Sequence, residues 1–170
     1  MATDERSAAS IWRQREIAVI YRRGRGIPLM VKLPYSPDNF TWLRAEKHRK
    51  PEWIKQFKCW EVPIAWFDDV ILRALKRFGR IYVIQPFRAL EKCAPACWNA
   101  RAFQCECSCL GKNHGSFPAG NWWVISETFA MQWQGRELAC RLIERRPAGS
   151  QKSENRDSPP TAVPPPVSCV

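Results

Sequence analysis

Pro63-Ile-Ala-Trp-Phe67-Asp-Asp-Val70-Ile71-Leu-Arg-Ala74-Leu75-Lys-Arg-Phe78-Gly79-Arg-Ile81-Tyr-Val-Ile84 is the most informative stretch of this 170-residue chain. Pro63 suits a first helical turn, where its missing N–H has no partner to lose. From there Phe67, Val70, Ile71, Ala74, Leu75 and Phe78 recur at three and four residues and build one apolar stripe. Arg73, Lys76 and Arg77 fall off that stripe, and Gly79 stands where a helix stops. The spacing predicts an amphipathic helix over Pro63–Phe78, then a short buried strand, Ile81–Ile84, closed by Pro86.

Working outward, Ile17–Tyr21 is a β-branched run that reads as a strand, and Leu29–Leu33 resumes extended character after the basic turn Arg22-Arg23-Gly24-Arg25-Gly26. The two are expected to pair as a hairpin. Pro34 and Pro37 stop the second strand, and Ser36 or Asp38 can cap a short helix over Asn39–His48. Downstream, Trp122–Ile125 and Glu137–Ile143 read as strands around a Gln134-Gly135 turn. In the second of these, Leu138, Cys140 and Leu142 alternate with polar or small residues, which predicts a half-buried strand at the edge of the fold. Residues 1–10 are polar and small and are expected to be flexible. From Pro147 on there are six prolines and no aromatic residue, so 147–170 is expected to be a disordered tail. The expected fold is α+β: one domain over 11–146, a small, mostly antiparallel sheet and one main helix.

Composition narrows the function classes. Hydrophobic residues make up 45% of the chain and nine are Trp, enough for a packed core. No run of about 18 apolar residues occurs, and the start lacks the apolar segment of a secretory signal, so a cytoplasmic protein without a membrane partner is expected. The net charge is +11 and uneven: Ile11–Lys92 holds eighteen Lys/Arg against eight Asp/Glu, whereas the last 24 residues are neutral. A basic surface confined to one part of a domain attracts polyanions.

Five of the eight cysteines fall between Cys93 and Cys109, too close together to staple distant elements. In a reducing compartment such clustering favours metal ligation over disulfides. Cys93 and Cys97 lie one helical turn apart, and Cys105, Cys107 and Cys109 share one side of an extended segment. Gly111 and Gly115 let the loop bend and bring His114 back. Four of these six candidates would hold one structural zinc in an insert over 93–115. An iron–sulfur cluster would also accept four thiolates.

The pattern C-x3-C-x7-C-x-C-x-C-x-G-x-N-H-G resembles a cysteine-rich motif recurring in uncharacterised bacterial, archaeal and phage proteins, and no activity comes with it. Upstream, Val31-Lys32-Leu33-Pro34-Tyr35, Trp42, Trp60-Glu61-Val62-Pro63 and the following helix resemble the HARP domain over roughly residues 28–86. That resemblance implies a small α+β module that accompanies annealing helicases and binds DNA. The chain departs from the family in a basic insert between Lys47 and Lys58 and has no helicase motor, so a binding surface is implied and DNA remodelling is not.

Aromatic and basic residues are interleaved through that insert. Trp42, Trp53, Phe57 and Trp60 alternate with Arg44, Lys47, His48, Arg49, Lys50, Lys55 and Lys58, a mixture suited to stacking on bases while cations track phosphates. Arg22, Arg23 and Arg25, on a hairpin tip, are further candidates. The enzyme readings are poorer. Two histidines occur, no GxxxxGK loop is present, and neighbouring Asp68 and Asp69 would point about 100° apart on a helix. A nuclease centre would have to be assembled from the scattered Asp38, Glu61 and Asp68. The leading expectation is a non-enzymatic nucleic-acid-binding module of a phage or mobile element, with DNA favoured, single-stranded or junction-like. The alternative is an adaptor or inhibitor, such as an anti-defence protein, that binds an acidic protein surface.

Overall fold

The computed structural model describes residues 8–87 and 123–146, and the element order over them is α1 (Ala8–Arg13), β1 (Ala18–Tyr21), β2 (Leu29–Lys32), α2 (Asn39–Arg44), β3 (Glu52–Ile54), β4 (Cys59–Val62), a 3-10 turn (Ile64–Trp66), α3 (Phe67–Phe78), β5 (Arg80–Pro86), β6 (Trp123–Trp133) and β7 (Arg136–Arg145). The strands form one seven-stranded sheet in the order β3-β4-β2-β1-β5-β7-β6. The α+β class holds. The segment 93–115 expected to bind zinc, residues 1–7 and the proline-rich tail lie outside the described residues.

The sheet is mixed, not the mostly antiparallel one expected. β1 and β2 form the anticipated hairpin, with Ile20 opposite Val31, but β1 pairs with β5 in parallel, with Ile20 opposite Val83. The cause is the helix. β4 is antiparallel to β2, which is antiparallel to β1, so β4, β1 and β5 all run the same way. The twelve residues of α3 carry the chain back between β4 and β5, and a parallel return requires a crossover of about that length.

Both faces of the sheet are covered. Ala18, Ile20, Leu29, Val31, Val62, Ile81 and Val83 meet Phe67, Val70, Ile71, Ala74 and Leu75 of α3. Those five helical residues are 0% exposed, and each large one contributes about 1.5–3 kcal/mol of burial. Gly79 ends α3 at φ +80°, a left-handed conformation that costs glycine nothing. The opposite face sets Val19, Tyr21, Met30, Tyr82, Ile84 and Leu142 against Ala8, Ile11 and Trp12 of α1.

That second layer corrects two expectations. Residues 8–10 are not a flexible end but the first turn of α1, held by Ala8, Ile11 and Trp12 at positions i, i+3 and i+4. β7 is not the edge strand: it lies between β5 and β6, and Leu138–Ile143 are all buried. Its alternation marks which side chain faces which layer, and both layers are covered. β6 is the edge and runs eleven residues, well past Ile125, with an irregularity between Ile125 and Glu127. The Gln134-Gly135 turn is as expected, both residues having positive φ.

Candidate nucleic-acid interface

β3 and β4, Glu52–Ile54 and Cys59–Val62, form a hairpin that the aromatic–basic mixture did not reveal. Trp53 of β3 lies directly across from Trp60 of β4, and Ile54 from Cys59. Hydrogen bonds from Phe57 N to Ile54 O (3.2 Å) and from Lys58 N to Lys55 O (3.3 Å) close the four-residue turn. Lys58 holds it with φ +50°, a conformation that costs a lysine about 1–2 kcal/mol. Ile54 and Cys59 anchor the hairpin on the α1 face, and Trp60 packs against the α3 face.

The hairpin tip forms one wall of a cleft of about 860 Å3, within the usual range for a ligand site. Trp53, Lys55, Phe57, Lys58 and Trp60 come from the hairpin. Trp12, Arg13 and Arg15 come from α1 and the residues after it. Lys32, Leu33, Tyr35, Ser36 and Asn39 run from the end of β2 to the start of α2. Among the described residues, five cations therefore line the cleft and no Asp or Glu does. None of the five is ion-paired among the described residues.

Aromatic surface is presented along the same cleft. Trp53 is 50% exposed and Tyr35 92%. Trp60 supports Trp53 edge to face, ring centroids 5.0 Å apart at 64°, and is itself braced by Phe40 at 5.8 Å. Trp53 is thus braced by Trp60 while half of its surface stays open to solvent. On the other wall, Lys32 donates to Trp12 O, and its ammonium sits 5.6 Å from the Trp12 ring centroid. Burial, with Arg15 and then Lys58 nearby, holds the Lys32 ammonium below the ordinary lysine range. The chain keeps a charge here that folding disfavours.

Asn39 is a second cost at this site. It is 7% exposed, and its Nδ2 donates to Pro34 O at 2.9 Å. Its buried Oδ1 accepts no hydrogen bond among the described residues, which costs about 1–3 kcal/mol.

The other candidates divide. Trp53, Lys55 and Lys58 are in the cleft; Arg25, Arg44, Arg49 and Lys50 are exposed but do not line it. Arg22 is not on an accessible tip: it is 6% exposed, with its guanidinium 5.8 Å from the Phe67 ring centroid. Arg23 donates to Glu61 at 2.6 Å and to Pro28 O, bracing β4 against the β1–β2 loop. Lys47 pairs with Asp69 at 3.2 Å and lies over Trp66. Arg13, Arg15 and Lys32 were missed. The run Trp12-Arg13-Gln14-Arg15 was itself an aromatic–basic signal, and the strand alternation sets Lys32 with Met30, opposite to Leu29 and Val31.

No metal-holding group of His, Cys, Asp and Glu occurs among the described residues. Asp38 is held by Arg77 at 2.7 Å, and that bond first, then the Ser36 hydroxyl, keeps its carboxyl below the usual range. The expected capping by Asp38 or Ser36 is absent, since neither side chain bonds the first turn of α2. Cys59 and Cys140 are free and buried, and burial pushes their thiols up to about 11 and about 12, which makes them poor nucleophiles. The six candidate zinc ligands, Cys93, Cys97, Cys105, Cys107, Cys109 and His114, all lie outside the described residues.

No helix among the described residues is long and apolar enough to cross a membrane. No protein-family model, no curated protein and no solved structure matches the chain, so the HARP-like resemblance of residues 28–86 rests on its sequence features alone.

Proposed function

We propose that the chain is a non-enzymatic nucleic-acid-binding module that takes a single strand into the cleft between α1 and the β3–β4 hairpin. The observation that carries this reading is the pairing, among the described residues, of five cations and no carboxylate with a braced, half-exposed Trp53. Cations without a carboxylate partner attract phosphates, and an exposed indole face stacks on any base. A duplex keeps its base faces covered, so the aromatic wall favours single strands or the frayed ends of junctions.

Titration of labelled single- and double-stranded oligonucleotides at several salt concentrations tests the proposal. Affinity is expected to fall linearly with salt on logarithmic axes. Trp53→Ala is expected to cost about 1–3 kcal/mol with single strands and to leave the salt slope unchanged. The rival reading, an acidic protein partner, predicts no saturable binding to any oligonucleotide near physiological salt.

A structural zinc held by four of the six ligands between Cys93 and His114 belongs to the same proposal. Elemental analysis of protein purified without added metal is expected to give about one zinc per chain, reduced by Cys93→Ser or Cys97→Ser. Fully folded, metal-free protein under reducing conditions would overturn that assignment, and iron in its place would indicate a cluster.

A further inference from the structure

We propose that the chain's own proline-rich segment, Pro159–Val167, docks in the cleft as a polyproline helix against Tyr35, Trp53 and Phe57, and that a nucleic-acid strand enters only by displacing it. The docking stands on the cleft alone, whereas the competition rests on the nucleic-acid reading above.

The cleft has the surface such a segment needs. Tyr35 is 92% exposed, Trp53 50% and Phe57 41%, and all three line it. Aromatic-lined grooves recognise polyproline helices, because pyrrolidine rings pack against the aromatic faces. The segment reads Pro159-Pro-Thr-Ala-Val-Pro164-Pro165-Pro166-Val167. Successive prolines hold φ near about −65°, so the helix is formed in advance and docking costs little entropy. The segment brings no further cation into a cleft already lined by five, and Asp157 stands two residues ahead of it.

Topology brings the tail to the right end of the sheet. Leu142, Tyr82, Val19 and Lys32 lie side by side across β7, β5, β1 and β2. β7 and β2 run in the same direction. The chain therefore leaves β7 at Arg145 on the end of the sheet where β2 gives way to Leu33 and Tyr35 of the cleft. From β7 across to β3 is five strand spacings, about 24 Å. Residues 146–158, at about 3.1 Å each when extended, span up to about 40 Å, so the segment reaches the cleft without strain. A ligand tethered this closely has an effective concentration of the order of millimolar, which populates even a weak contact.

The test alters the tail and leaves every described residue in place. Pro159, Pro160, Pro164, Pro165 and Pro166 are replaced by serine in the full-length chain. Oligonucleotide affinity is expected to rise about three- to tenfold, because the open cleft is no longer a fraction of the population. The salt slope should stay the same, since no charge has changed. A fluorescein-labelled peptide of residues 153–167 is then titrated with this serine-substituted chain without nucleic acid. Saturable binding is expected, weakened several-fold by Tyr35→Ser and by Trp53→Ala. Tyr35→Ser keeps the test decisive if Trp53→Ala does not fold, since a ring 92% exposed holds up little of the structure. Peptide that does not bind, peptide that binds regardless of both substitutions, or a measurable oligonucleotide affinity that the serines leave unchanged overturns the proposal and leaves the strand reading of the cleft standing. Peptide binding that depends on Tyr35, in a chain that binds no oligonucleotide, upholds the docking and overturns the nucleic-acid reading.

Discussion

The α2–α3 face and the cleft are built from the same ingredients, tryptophan set among arginine and lysine. On the α2–α3 face the cations are consumed internally. The Arg73 guanidinium lies 5.0 Å from the Trp42 ring centroid, donates to Trp42 O at 2.6 Å and to Leu43 O at 3.3 Å, and pairs with Asp69 at 3.0 Å. Arg77 stacks on the same ring at 5.1 Å and pairs with Asp38. Lys47 pairs with Asp69 as well. Asp69 and Asp38 thus take up all three charges, and Trp42 is covered by guanidinium groups and by Phe78. In the cleft no carboxylate of the described residues pairs with Arg13, Arg15, Lys32, Lys55 or Lys58, and Trp53 stays half exposed. The difference teaches that interleaved aromatic and basic residues announce neither a binding site nor a structural clamp. The carboxylates that reach them decide.

Charge reversal on each side of the comparison is the sharpest way to break it. Arg13→Glu combined with Lys55→Glu takes the lining of the cleft from +5 to +1 and sets carboxylates where phosphates would lie. Oligonucleotide affinity near physiological salt is expected to fall on the order of a hundredfold or more, with the melting temperature little changed, because neither side chain is ion-paired in the described structure. Unchanged affinity in a fluorescence-anisotropy titration would move the interface off the cleft.

The α2–α3 face is expected to respond in the opposite sense. Arg73→Met removes two hydrogen bonds to the end of α2 and one to Asp69, so stability should fall by about 2 kcal/mol in denaturant unfolding. Oligonucleotide affinity of the folded fraction should stay at the wild-type value. A loss of affinity with no loss of stability would show that this face binds ligand too.

Lys32 gives the smallest and most specific effect. Burial lowers its folded-state pKa, so between that value and 10.5 the unfolded chain binds the proton more fully, and stability should rise with pH across that interval. Lys32→Met should flatten this rise. At neutral pH its stability should lie within about 1 kcal/mol of wild type, because the lost bond to Trp12 O opposes the relief of burying a charge. Its salt slope with oligonucleotide should fall by about one. Denaturant curves at neutral pH and near pH 10, on wild type and variant, check both halves.

Local regularities were legible in the chain. The helix over Phe67–Phe78, its Gly79 stop, the β1–β2 hairpin and the start of β5 all follow from spacing, because residues three and four apart share a helix face and residues two apart share a sheet face whatever else the chain does. α1 and the β3–β4 hairpin did not stand out. Six and three residues are too few for a period to show, and both elements persist because distant side chains bury them: Trp12 against Tyr21 and Trp133, and Cys59 and Ile54 in the same layer. The parallel β1–β5 pairing was likewise outside local pattern, since it depends on α3 carrying the chain across β2 and β1. Among the site residues, Trp53, Lys55 and Lys58 could be picked out from composition, but Arg22, Arg23 and Lys47 carried the same signal and are buried or ion-paired in the fold. Sequence determines which residues carry charge and where regular elements can form. Only tertiary structure decided which cations met a carboxylate, because Arg77 and Asp38, like Arg23 and Glu61, lie nearly forty positions apart along the chain.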